Sequence, residues 1–396
     1  MSTLSNTYRP SLGAGQKPDA WTIALTYVGN GREFDGPGNM AIDKDGNVWS
    51  TNNYVFGRDP TKTACGGKQV LKLAPTGEDA PGAPYTGGGV DGAGFGIAID
   101  QKGRAWVANF GFSGRGCESP PPANSVSLFS STGKALSPPP GFTNAPINRP
   151  QGTVVDQEGN VWIANSGADK LGRYTITKYV DGDPRRFRNC RHKLLNEPFD
   201  LAVEHSGNVW VSNSGGDTVI KLAPDCTLLA AFGVPGTQSA GTFKRPLGLA
   251  VDSRGNVWVA NSLGASVTRI NTDGRANQFF GGGLDTPWGL AVDGDDHVFV
   301  ANFNTGQSIT ELCGPRAKTC PLGIGPGDPI SPPSGYTSDA LTRLTGIRID
   351  PSGNVWVANN WLLKPIQTNP GGHALVVFVG LAAPVKTPLI GPPEKP

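Results

Sequence analysis

The stretch G-N-V-W-V-A-N-S at residues 255–262 recurs with small changes along the whole chain, and no other feature limits the fold so tightly. Aligned on the aromatic residue, the copies are G-N-V-W-S-T-N at Trp49, G-R-A-W-V-A-N at Trp106, G-N-V-W-I-A-N at Trp162 and G-N-V-W-V-S-N at Trp210. G-N-V-W-V-A-N at Trp258, D-H-V-F-V-A-N at Phe299 and G-N-V-W-V-A-N at Trp356 complete the set. A second motif precedes each copy, as in G-I-A-I-D before Trp106 and G-L-A-V-D before Trp258. The repeat spacing averages about 51 residues, in the range of propeller blades rather than of shorter solenoid units.

In each unit a short apolar run, a D-x-x-G-N turn and a second apolar run describe a hairpin, because Asp, Gly and Asn accept turn conformations. The D-K-D-G-N at Asp43 occupies the same slot as Q-E-G-N at Gln157, which identifies a turn rather than a calcium loop. Both runs are apolar at consecutive positions, so both faces of the sheet are covered. Radially packed blades meet that demand, with Trp expected against the small Gly and Ala of a neighbour. Less apolar third strands at Thr218–Leu222 and Ser266–Ile270 belong nearer the rim. The 56 Gly and 35 Pro suit short strands and turns.

The sequence therefore predicts an all-β chain forming one seven-bladed β-propeller of four-stranded antiparallel blades. Its boundaries are a tail at 1–19, a propeller at 20–385 and a Pro-rich tail at 386–396. Blades 1 to 7 cover 38–90, 95–148, 151–197, 199–244, 247–285, 288–342 and 345–382. Residues 20–30 precede the first repeat and are expected to supply the outer strand of blade 7, which closes the ring.

A formal net charge of +2 without like-charge blocks gives no field for nucleic acid, and the Arg-rich 183–193 segment reads as a solvated rim loop. No run approaches the ~18 apolar residues of a membrane span, and no signal peptide is evident in the given chain. Cys65, Cys117, Cys190, Cys226, Cys313 and Cys320 fall in irregular segments without zinc spacing. Placement in neighbouring blades predicts the pairs 65–117 and 190–226, closure of one short loop predicts 313–320, and the three together point to an extracytoplasmic protein. The chain is expected to be a monomer.

The pattern P-x-G-x-A-x-D-x-x-G-N-V-W-V-A-N-S resembles NHL-type repeats, and among propellers those of the virginiamycin B lyase-like group, over about residues 20–385. The resemblance implies a seven-bladed propeller and, for the lyase, magnesium with a histidine and glutamates around the central opening. Here the matching end of strand b carries Asn52, Asn109, Asn165, Asn213, Asn261, Asn302 and Asn359, with no glutamate among them. Two readings follow. One is a binding module for a small molecule, sugar or peptide segment; the other is a metal-assisted lyase or lactone hydrolase.

In either case the site belongs on the face opposite the D-x-x-G-N hairpins, where the long loops of blades 1, 2 and 7 cluster. Phe95, Gln151, Phe199, Asp200 and Trp288 stand at the entrances to strand a, and Phe110, Phe112, Arg115, Trp361 and Lys364 on the surrounding wall. Aromatic rings supply contact area there and charges supply orientation. His373 is the candidate general base. Asp35, Glu197 and Asp200 are the candidate ligands for a divalent cation, the cofactor of the catalytic reading.

Overall fold

The computed structural model describes residues 24–28, 35–55, 65–113, 117–303, 307–316, 319–361 and 374–396. Seven antiparallel sheets follow one another along the chain, each built outward from an inner strand a. In blade 4 the order is a (Pro198–Val203), b (Val209–Asn213), c (Thr218–Leu222) and d (Leu228–Phe232). Blade 7 consists of Arg343–Ile349, Val355–Trp361 and Ala374–Phe378, with Ala24–Val28 paired to the last of these. In blade 2 the three strands Ile97–Ile99, Ala105–Asn109 and Ser125–Phe129 gain single bridges from Ala135 and Phe142 where a fourth would lie.

The aromatic residue of each strand b is the wedge between blades. Trp49 clusters with Ile97 and Ile99 of blade 2, Trp106 with Val155 of blade 3, and Trp162 with Leu201 and Val203 of blade 4. The series ends with Trp356 against Met40 and Ile42 of blade 1, so every blade plugs the next and the last plugs the first. These partners are larger apolar side chains than the Gly and Ala anticipated from sequence. Those glycines serve a closer approach. A Cβ on Gly152 would stand 2.6 Å from the Asp200 Cα, and one on Gly248 would stand 2.4 Å from the Trp288 carbonyl oxygen.

Six indole N–H groups, buried with their rings, donate to the carboxylate that opens their own D-x-x-G-N turn: Trp49 to Asp43, Trp106 to Asp100, Trp162 to Asp156, Trp210 to Glu204, Trp258 to Asp252 and Trp356 to Asp350. The five aspartates also accept backbone N–H groups from the turn, as Asp43 does from Asp45 and Asn47 at 3.0 Å, while Glu204 accepts the Ser206 hydroxyl and the Asn208 side-chain amide instead. A single acidic residue thus holds both the turn and the wedge. This explains why D, G-N and W travel together in the repeat.

Strand a breaks register in blades 1 and 3 to 7, between Pro150 and Thr153 in blade 3 and at matching positions elsewhere. These bulges bend the inner strands around the axis. On the hairpin face the Pro-rich segment 385–396 does not trail away. The Val385 N–H bonds the Asp350 carbonyl, the Thr387 hydroxyl bonds the Asp43 carbonyl at 2.7 Å, and Lys395 pairs with Asp295. It therefore crosses the lower end of the central channel.

Three disulfides join Cys65 to Cys117, Cys190 to Cys226 and Cys313 to Cys320, the pairs expected from loop placement. Among the described residues no helix is long and apolar enough to cross a membrane.

Candidate functional site

At the face opposite the hairpins six of the seven Asn side chains make structural hydrogen bonds within their own blade, although Asn261 does so through Nδ2 alone. The Oδ1 atoms of Asn109, Asn165, Asn213, Asn302 and Asn359 each accept a backbone N–H from the segment entering their own blade, at 3.0–3.3 Å. The Nδ2 groups of Asn165 and Asn261 donate to hydroxyls of strand c, as in Asn165 to Thr175 and Thr177. These amides are buried and fasten three parts of one blade together. They do not line an opening.

The mouth is lined instead by rings. Phe95 and Phe199, from blades 2 and 4, have centroids 5.3 Å apart. Since blade 3 lies between those blades, their contact bridges the axis. Trp288 meets Phe199 edge-on at 5.8 Å and Phe303 at 4.7 Å, and Phe303 meets Trp361 at 5.1 Å. Tyr54 joins this group, and Phe112 and Phe110 continue it at 5.5 and 4.5 Å. Arginines flank the chain, Arg149 over Phe110 at 4.5 Å and Arg343 over Phe303 at 5.8 Å.

Polar groups within this apolar layer are incompletely matched. Trp288 Nε1, Trp361 Nε1 and Arg343 Nε are buried donors without a partner, and Asn53 Oδ1, Asn360 Oδ1 and Asp91 Oδ1 are buried acceptors without one. Burial holds the Asp91 carboxyl above its ordinary range, with Lys68 pulling the other way. Burial also pushes the Tyr54 phenol well up. Native interiors satisfy the great majority of such groups, so a cluster at one mouth is unusual.

Of the residues singled out from sequence, Phe95, Phe199, Trp288, Phe110, Phe112 and Trp361 share this layer. Gln151 and Asp200 are turned to other tasks. Gln151 Oε1 accepts the Phe95 N–H at 3.1 Å, and the two Asp200 oxygens accept the N–H groups of Leu201 and Leu249 at 2.9 and 3.1 Å. Arg115, Lys364 and His373 lie outside the described residues. Phe303 and Arg343 were not anticipated. Phe303 follows the ring residue Asn302 as Phe110 follows Asn109, so the signal was present in the repeat itself.

For a divalent cation the donor set is poor. Among the described residues no three His, Cys, Asp or Glu side chains converge. Glu197 is exposed, and Asp200 is committed to backbone donors. The side chain of Asp35 lies outside the description. His297, in the turn of blade 6, forms a buried network of another kind. Its Nδ1 meets Glu311 at 2.9 Å and its Nε2 meets Thr319 at 3.0 Å, beside the Cys313–Cys320 bridge.

No family model and no curated protein sequence matches the chain. Solved structures do. A streptogramin B lyase superposes with a TM-score of 0.60 at 15% identity, covering 90% of this chain and 96% of that one. A catalytically inactive virginiamycin B lyase from Staphylococcus aureus with quinupristin gives 0.56 at 14% identity, covering 90% and 99%. The extracellular domain of a hybrid two-component system from B. thetaiotaomicron gives 0.58 at 14% identity, covering 90% of this chain and 41% of that one. The chain is a seven-bladed β-propeller with the fold of virginiamycin B lyase.

Proposed function

We propose that this chain is an extracytoplasmic binding module that takes a small ligand or a peptide segment at the aromatic mouth of its loop-rich face. The carrying observation is the set of buried, unpartnered donors and acceptors, Trp288 Nε1, Trp361 Nε1, Arg343 Nε, Asn53 Oδ1 and Asn360 Oδ1, inside an otherwise apolar layer. An unmade buried hydrogen bond costs about 1–3 kcal/mol, and a ligand that supplies the missing acceptors and donors recovers that cost. The surrounding rings contribute area to any apolar part of the ligand. Three disulfides support the compartment, since such bonds persist in oxidising surroundings.

The test is a thermal-shift screen of cyclic depsipeptides, lactones, acylated sugars and short peptides, with products followed by mass spectrometry. A compound that stabilises the wild type should bind ~1–3 kcal/mol more weakly to Trp361→Ala and Trp288→Ala. Trp361→Phe, which removes the N–H and keeps a ring, should lose about 1 kcal/mol of that binding. Undiminished binding in all three variants would move the site elsewhere. Turnover that depends on His373 would replace this reading with the lyase or lactone hydrolase.

A further inference from the structure

Below the aromatic layer the inner strands of all seven blades enclose a cavity of about 110 Å³, with Val385, Thr387 and Leu389 of the C-terminal segment lining its lower end. By comparison, a single water needs ~10–15 Å³ and benzene fits a cavity of ~150 Å³, so the space suits several waters or a ligand of a few heavy atoms.

One ring of side chains carries the inference. In each blade the residue of strand a directly opposite the strand-b aromatic lines this cavity. Six of these residues are Ala41, Ala98, Val154, Ala202, Ala250 and Ala291. The seventh, opposite Trp356, is Arg348. Its only hydrogen bond is from Nη1 to the Ile347 carbonyl, and no carboxylate of the described residues forms an ion pair with it. Protein surrounds it, and the surface it keeps is turned to the cavity. A guanidinium so placed retains donors with nothing to receive them, in a space whose remaining walls are largely aliphatic.

We infer that this cavity is a second binding site, one that takes a small aliphatic carboxylate held by Arg348. A planar anion matches the fork of the guanidinium, and the alanine ring leaves room for a short hydrocarbon tail. The site lies beneath the aromatic layer and is independent of the reading given to the mouth.

Among the described residues Asp200 and Arg348 are the only titratable groups lining the cavity, and both act on the anion. An ionised Asp200 opposes a second negative charge, and a protonated one does not. Its carboxyl is held up to about 6, by burial above all, against the pull of the Leu249 and Leu201 N–H groups and of Arg348. Uptake of the anion is accordingly coupled to uptake of a proton by Asp200.

Sodium butyrate, titrated calorimetrically into the full chain at constant ionic strength, tests this, with n-butanol and n-butylamine as isosteric controls. Butyrate should bind one to one and at least ten times more tightly than either control. Its affinity should fall tenfold or more in Arg348→Ala and decline in the wild type as pH rises from 5 to 8. That decline should flatten in Asp200→Asn. Because six blades carry a small residue at this register, Arg348→Ala should unfold at the same temperature as the wild type or higher when no butyrate is present. Equal binding of butyrate and butanol, unchanged affinity in Arg348→Ala, or no saturable heat would each overturn the proposal. A destabilised Arg348→Ala that still binds butyrate would assign Arg348 to fold maintenance instead.

Discussion

Phe299 stands where six blades carry tryptophan, and blade 6 has adjusted one atom at a time. Asp293 still takes the turn N–H groups of Asp295 and His297, but its second oxygen, without an indole to serve, accepts the Ala383 N–H at 2.8 Å. The lost donor is replaced from a segment 90 residues away. Asp200 is a second departure of this kind. Five blades have glycine at its register, at 96, 152, 248, 289 and 346, and Asn39 is the other exception. Both side chains reach across to a neighbouring backbone, Asn39 to the Phe95 carbonyl and Asp200 to the Leu249 N–H. Since the folded state holds the Asp200 carboxyl above its unfolded value, protonation favours folding. That contribution is complete below the ordinary carboxylate range and is lost as pH rises through about 6. Urea denaturation should show the stability of the wild type relative to Asp200→Asn falling by roughly 2–3 kcal/mol between pH 4 and pH 7. A difference independent of pH would mean that the carboxylate is not desolvated. The substitution of Gly by Asp was visible in the repeat, whereas its partner was not, because that partner belongs to the next blade and to no local pattern.

Strands a and b were legible as elements because each writes a fixed pattern seven times. Strand d was less so. In blades 2 and 6 it comes from the segments L-S-P-P-P-G-F-T and I-S-P-P-S-G-Y-T, where Phe142 bridges Val126 and Tyr336 pairs with Ile309. These carry proline and no alternation, so only their likeness to each other marks them. The C-terminal segment is harder still. Nothing in its composition announces that Val385 and Leu389 line the channel, because a stretch held by single hydrogen bonds to several blades has no period. Blade 7 gives an element-scale prediction. Ala24–Val28 is antiparallel to Ala374–Phe378, with Tyr27 stacked on Trp356 at 5.3 Å. Deleting residues 1–30 should bare that ladder edge, lower the melting temperature by several degrees and promote association at micromolar protein. Light scattering and calorimetry check this, and an unaltered monomer would show that the edge is protected by other means.

Around the molecule each wedge residue belongs half to the next blade, and the last interface is as complete as the first. Thr345 donates to the Gly38 carbonyl at 2.7 Å, Asn360 to the Pro37 carbonyl at 2.7 Å, and Trp356 lies against Met40 and Ile42. The overall ring was readable from seven anchors, whereas the aromatic mouth was readable only in part, since which rings touch depends on curvature that no single repeat encodes. A linear solenoid can fray from an end repeat. A closed ring offers none, and removing any blade uncovers two apolar faces. Thermal unfolding should therefore be one transition, with tryptophan fluorescence and far-ultraviolet dichroism coincident and the calorimetric enthalpy equal to the van't Hoff value. Separate transitions would show that groups of blades hold together alone. The same ring has a consequence for the chain in the cell. The joint between Trp356 and Met40 spans more than 300 positions, so a polypeptide under synthesis carries the open faces of its finished blades until residue 356 and its strand have been made. A pause in synthesis before residue 356 therefore prolongs the time for which unpaired blade faces are open to aggregation and proteolysis.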